Sequence, residues 1–133
     1  MLRAKDIMTE DIISVRKDTP VYEAVELMAK HGISGMPVVE DDMTLVGILS
    51  EKDVIILLYG KEDDENKTVN DFMTQPAVYF DENESLLDIC DFLRKNIFRR
   101  VPITSKEKLV GIISIKDLLE YILELRQEIV STD

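Results

Sequence analysis

The sequence predicts an α/β (α+β) fold of two β-α-β-β-α repeats packed with pseudo-twofold symmetry. Three observations predict it. The chain says nearly the same thing twice: Asp6-Ile7-Met8-Thr9 returns as Asp71-Phe72-Met73-Thr74, Pro37 as Pro102, and Leu45-Val46-Gly47-Ile48-Leu49-Ser50-Glu51-Lys52-Asp53 as Leu109-Val110-Gly111-Ile112-Ile113-Ser114-Ile115-Lys116-Asp117. The shift is 65 residues as far as the proline and 64 from Leu45, so one residue is dropped in between. Within each copy, short apolar runs alternate with stretches of helical spacing. Finally, a half of this size would bury only about 60% of its unfolded surface, against 68–70% for a chain of about 150 residues. The halves are therefore expected to share a core, and with 45% apolar residues there is material for one.

Each repeat opens on a short leader holding the Met-Thr pair. A short strand follows, Ile12-Ile13-Ser14-Val15 or Ala77-Val78-Tyr79-Phe80. Thr19-Pro20 predicts a helix start with Thr as N-cap and Pro in the first helical position. Val21, Ala24, Val25 and Met28 then recur at helical spacing, and Gly32 supplies the stop. In the second copy Leu86, Ile89, Cys90 and Leu93 make the same face, with no glycine to match Gly32. Met36 to Val39 and Val101 to Ile103 read as short strands. Asp41-Asp42 and Lys106-Glu107-Lys108 read as turns, and Leu45–Leu49 and Leu109–Ile113 as buried strands. A second helix is expected from Glu51 and from Ile115. The latter is longer, with Leu118, Leu119, Ile122, Leu125 and Ile129 as an apolar stripe. The domain reading is 1–61 for the first repeat, 62–68 for an acidic connecting loop, and 69–133 for the second repeat with its extended C-terminal helix, in one compact module.

The net charge of −11 argues against nucleic acid and anionic membrane surfaces as partners, because binding there needs a basic face. A small anion needs only a local cluster of donors. Arg94, Lys95, Arg99 and Arg100 form the one dense basic cluster; alone, it reads as a solvated charge run. Cys90 is the only cysteine, so no intramolecular disulfide is possible, and its place on an apolar helix face makes it core filler. No hydrophobic run follows the N-terminus and none is long enough to span a membrane, so a cytoplasmic protein is expected. There is no His and Cys cluster for zinc, and the acidic run Glu62-Asp63-Asp64-Glu65 lacks the alternating spacing of a calcium loop; no metal is expected. His31, the only histidine, stands where a cation suits a helix C-terminus. No nucleophile and base pair up, and no Walker-type phosphate loop is present, so an enzyme is not expected.

Ser50-x-x-Asp53 and Ser114-x-x-Asp117 lie where a buried strand meets a helix. One reading is capping: the Ser hydroxyl accepts from a backbone N–H, and the Asp complements the helix dipole. The other is binding. A helix N-terminus facing a cleft suits a phosphate, and an aspartate one turn in can accept two hydrogen bonds from a vicinal diol such as a ribose. Spacing alone favours capping, and the two uses are partly compatible.

The doubled Gly-Ile-(Leu/Ile)-Ser-x-Lys-Asp, each copy preceded by a Pro-containing strand and an opening Asp-x-Met-Thr, resembles a tandem pair of CBS (cystathionine-β-synthase) domains over about Arg3 to Leu123. The resemblance implies the strand–helix–strand–strand–helix unit, sheets facing across a pseudo-twofold axis, and regulation of an attached or partner protein. It also implies an adenosyl ligand (AMP, ADP, ATP or S-adenosylmethionine), and with it a role in energy sensing. It implies that the Asp of each motif holds the ribose, that the Ser holds phosphate, that the first strand holds the adenine, and that basic residues before the Pro-strand contact phosphate. Carried over with the halves crossed, it implies a main cleft of Ser50, Lys52 and Asp53 with Ala77, Val78, Arg99, Arg100, Val101 and Pro102. A second, weaker cleft would combine Ser114, Lys116 and Asp117 with Ile12, Ile13, Ser34, Gly35, Met36 and Pro37, where positions 34 and 35 carry no charge. No cofactor is required on this reading. A homodimer is the default assembly, the regulated protein is unidentified, and the alternative is a ligand-free structural or dimerisation module acting on a partner.

Overall fold

The computed structural model describes residues 1–60 and 65–131, the last without its side chain. Lys61 to Asp64, and so the front of the acidic loop expected at 62–68, lie outside the described residues. The chain divides into two compact units. The first holds residues 1–12, 79–106 and 110–133; the second holds 13–78 and 107–109.

In the second unit, β1 (Val15–Arg16), α2 (Val21–His31), β2 (Gly35–Val39), β3 (Leu45–Ser50) and α3 (Glu51–Val54) follow in order, after α1 (Ala4–Ile7) of the first unit. The sheet order is β1-β2-β3. β1 pairs parallel with β2 (Val15 with Val38), and β2 antiparallel with β3 (Gly35 with Ser50, Pro37 with Ile48). Every residue of β2 is buried, and Val15, Val21, Ala24, Met28, Met36, Val38, Leu49, Val54, Val69 and Met73 form the core.

Three expectations shift here. The first strand begins at Val15 rather than Ile12, because the residue before Val38 on its partner is Pro37, which has no N–H to give a ladder. The helix begins at Val21, with Pro20 as N-cap. Thr19 Oγ1 accepts from Arg16 N at 3.0 Å instead of capping the helix, and Val21 N donates to Lys67 O at 3.0 Å. The helix from Glu51 runs one turn and tightens into a 3-10 turn over Ile55–Tyr59. Gly32 ends α2 at φ 62°, in the left-handed conformation that a glycine stop adopts.

The first unit holds α1, β4 (Phe80–Asp81), α4 (Leu86–Lys95), β5 (Arg100–Ser105), most of β6 (Lys108–Ser114) and α5 (Ile115–Ser131), with sheet order β4-β5-β6. The proline effect recurs: β4 starts at Phe80, opposite Ile103, one residue past Pro102. Ala4, Leu86, Ile89, Leu93, Val101, Ile103 and Ile113 form its core. Ser85 Oγ accepts from Leu87 N at 3.3 Å to cap α4. Asn96 closes the far end where the first copy uses Gly32, its N and Nδ2 donating to Phe92 O at 3.1 and 2.9 Å. Cys90 is half-buried against this core, and burial pushes its thiol up, with Asp91 adding to the shift.

The units do not follow the repeats. The leader of the first repeat joins the strands of the second: Thr9 and Ile112 exchange backbone hydrogen bonds at 2.8 and 2.9 Å. The leader of the second repeat joins the strands of the first, with Thr74 and Ile48 exchanging bonds at 2.8 and 3.0 Å. The central glycine of each Gly-Ile-x-Ser strand makes room for this. A Cβ on Gly111 would come within 2.7 Å of Met8 Cγ, and one on Gly47 within 2.9 Å of both Met73 Sδ and Thr74 O.

Candidate functional site

In the first unit the site stands where β6 hands over to α5. Ser114 ends the strand, and its side chain and Asp117 close a reciprocal cap. Ser114 N donates to Asp117 Oδ2 at 2.8 Å, and Asp117 N donates to Ser114 Oγ at 3.1 Å. The Ser114 hydroxyl also donates to Asp117 Oδ2 at 2.9 Å. Asp117 Oδ1 accepts from Thr9 Oγ1 at 3.0 Å. Ile115 N, at the start of the 17-residue α5, donates to Arg99 O at 2.9 Å, which sets the two arginines beside the helix N-terminus. Burial pushes the Arg100 guanidinium below its ordinary value, Asp117 pushes it back up, and Arg99 lowers it further. Arg100 Nε is buried with no hydrogen-bond partner among the described residues. An anion accepting from this group would satisfy a donor that otherwise carries a desolvation cost of about 1–3 kcal/mol or more.

The second unit repeats the arrangement without the arginines. Ser50 N donates to Asp53 Oδ2 at 2.9 Å and Asp53 N donates to Ser50 Oγ at 3.3 Å, while Thr74 Oγ1 lies 3.2 Å from Asp53 Oδ1 and 3.4 Å from Oδ2. Glu51 N donates to Ser34 O at 2.9 Å, the bond that Ile115 makes to Arg99 in the other unit. Capping is thus realised at both turns. The carboxylates keep accepting capacity for a ligand, since each oxygen can take two hydrogen bonds.

The division into units groups the candidate residues by repeat, with the leaders exchanged. Each Ser-x-x-Asp turn lies beside the Pro-strand of its own repeat, because that strand is its antiparallel neighbour. Arg99, Arg100, Val101 and Pro102 therefore share a unit with Ser114, Lys116 and Asp117, and Ser34, Gly35, Met36 and Pro37 share one with Ser50, Lys52 and Asp53. Ile12 falls in the first unit, and Ile13, Ala77 and Val78 in the second. Met36, Pro37, Val101 and Pro102 are buried in the sheets. Lys52 and Lys116 are exposed, Lys116 Nζ lying 4.0 Å from Glu120. Thr9 and Thr74 are the contacts that sequence reasoning left without a role; the signal was their presence in both leaders. Among the described residues no three His, Cys, Asp or Glu side chains gather as metal ligands, and no helix is long and apolar enough to cross a membrane.

Two three-stranded α/β units, each with a capped Ser-x-x-Asp turn and each completed by the other repeat's leader, define the class. The CBS domain profile matches residues 4–60 and again 69–124, and the chain belongs to the CBS domain family. An uncharacterized protein of Methanocaldococcus jannaschii is 33% identical over 116 residues, 87% of this chain and 41% of that protein. The inosine-5'-monophosphate dehydrogenase of Aquifex aeolicus is 38% identical over 110 residues, 81% of this chain but 22% of the enzyme. The chain thus spans less than half the length of these two relatives. Among solved structures, CBSX2 of Arabidopsis thaliana, in complex with AMP, superposes with a TM-score of 0.84 at 29% identity, covering 95% of this chain and 99% of that one.

Proposed function

We propose that this chain is a regulatory module, not an enzyme, that binds an adenosyl ligand of the AMP, ADP, ATP or S-adenosylmethionine class. The observation that carries the reading is the Arg99-Arg100 pair beside Ser114 and Asp117, with a buried guanidinium nitrogen awaiting an acceptor. Paired guanidiniums suit phosphate oxygens, the N-terminus of α5 favours an anion, and Asp117 can accept from a ribose diol. The AMP complex of CBSX2 supports the same ligand class. On this reading the preferred site is Ser114, Asp117, Arg99 and Arg100, with Ile12 toward the base. The turn of Ser50 and Asp53, with Ala77 and Val78, holds less negative charge or no ligand, since Ser34 and Gly35 offer no cation.

The regulated target is another chain or a second copy of this one. α5 exposes Leu119, Ile122 and Leu123, at 57%, 57% and 61%, which supports a contact between copies through that helix and keeps a structural, ligand-free module as the second reading. Calorimetric titration with AMP, ADP, ATP and S-adenosylmethionine tests both. Asp117→Ala weakens AMP at least tenfold, because hydrogen bonds to a charged group are worth about 1.5–3 kcal/mol each. Arg100→Ala weakens ATP more than adenosine. A larger loss from Asp53→Ala than from Asp117→Ala restores the crossed grouping of the arginines with Ser50. No binding below millimolar, with dimers in sedimentation, leaves the structural module.

A further inference from the structure

We propose that Thr9 is a positioning residue that aims Asp117 at the ribose, and that Thr74 does the same for Asp53; the proposal rests on the adenosyl-binding reading above. The hydroxyl-to-carboxylate bond is built twice, at 3.0 Å in one unit and 3.2 Å in the other, by residues that the sequence separates by 108 and 21 positions. A contact reproduced from such different separations follows from the way each leader is held. The leader backbone is pinned to the strand edge by the reciprocal bonds between Thr9 and Ile112, and the methionine one residue earlier is seated over Gly111. The hydroxyl is therefore delivered by fixed backbone rather than by a free loop.

The lone pairs of Asp117 show what the bond does. Oδ2 accepts from Ser114 N and from the Ser114 hydroxyl, and Oδ1 accepts from Thr9. With a partner on each oxygen, the carboxylate plane is fixed. Oδ1 keeps one lone pair free. Oδ2 regains one when the Ser114 hydroxyl rotates toward a phosphate. A vicinal diol can then donate one hydroxyl to each oxygen while Thr9 stays in place. On binding, Oδ2 keeps the Ser114 N–H and loses the serine hydroxyl, so Thr9 on Oδ1 is the side-chain restraint that still holds the angle of the carboxylate.

The experiment compares AMP with 2',3'-dideoxy-AMP, which lacks the diol, on the full chain. Thr9→Val keeps the size of the side chain and removes the donor; Thr9→Ser keeps the donor. Thr9→Val is expected to lower AMP affinity about fivefold to tenfold. It should leave dideoxy-AMP within twofold, with Thr9→Ser restoring AMP. Equal loss for both ligands means that Thr9 acts through packing and overturns the proposal, as does unchanged or tighter AMP binding in Thr9→Val. The underlying reading fails separately. There, wild-type protein binds neither nucleotide, or binds both equally with Asp117→Ala equally flat, and the proposal falls with it.

Discussion

Gly47 and Gly111 occupy equivalent places in the two repeats, yet alanine is expected to be far more costly at Gly47. At Gly111 the three atoms nearest the added methyl all belong to Met8, with Cγ at 2.7 Å and Cβ at 3.0 Å from the new atom. Rotation about the methionine bonds can move Sδ and Cγ aside, but Cβ stays where the backbone holds it, so the cost is about 1–2 kcal/mol. At Gly47 the methyl also meets the carbonyl oxygen of Thr74 at 2.9 Å. That oxygen already accepts from Ile48 N at 3.0 Å. Relief to an ordinary contact moves the leader backbone by about half an ångström and stretches both bonds to Ile48. Overpacking at about 1–3 kcal/mol and one or two weakened hydrogen bonds at about 0.5–1.5 kcal/mol each are partly offset by the lower entropy of the unfolded alanine chain, about 0.4–1 kcal/mol. The net is about 2–3 kcal/mol. Urea unfolding of the two single variants and of Gly111→Ala/Met8→Ala and Gly47→Ala/Met73→Ala measures this. The first pair should show a favourable coupling that removes most of the Gly111→Ala cost. The second pair should stay destabilised, because the carbonyl remains. Full rescue of Gly47→Ala by Met73→Ala, or a greater cost at Gly111 than at Gly47, refutes the reasoning.

Two smaller effects complete the set. Gly32→Ala is expected to cost about 1 kcal/mol in urea melts although the space around it is open, because φ 62° strains any residue with a Cβ; Gly32→Asn should cost less. Lys108 Nζ lies 2.6 Å from Asp42 Oδ2 and, with help from Thr44, holds that carboxyl well below the usual carboxylate range. A carboxylate lowered by folding adds stability that is complete above its unfolded value of about 3.9 and lost as pH falls below it. Lys108→Met should therefore melt slightly below wild type at neutral pH, the pair being exposed, and the gap should close in acid. A gap that widens on acidification contradicts the assignment.

The elements governed by neighbours in sequence were legible in the sequence. Gly32 ends its helix, Asp41-Asp42 and Lys106-Glu107 turn, and Ser-x-x-Asp caps at both copies. What escaped depends on partners far along the chain. The strand starts moved from Ile12 to Val15 and from Ala77 to Phe80 because Pro37 and Pro102, on another strand, have no N–H. Thr19 lost the helix cap because Lys67 supplies a carbonyl there. Which candidate residues share a unit was not legible in the motif spacing. That Arg99 and Arg100 stand beside Ser114 follows from the antiparallel pairing of their own repeat, whereas the motif spacing is the same in both copies and cannot say which arginine meets which aspartate.

The exchanged leaders also bear on how such a chain could have arisen and can drift. The segment that was copied is not the segment that packs. Each half carries, in its first ten residues, a part that completes the other. A change at Met8 is answerable to Gly111, and one at Thr74 to Asp53, so neither copy is free to diverge alone. The repeat runs along the sequence, while the contacts run across it. The doubling is preserved most closely at the leader and at the Gly-Ile-x-Ser strand, where the halves depend on each other, and is broken at Arg99 and Arg100, where the first copy has Ser34 and Gly35.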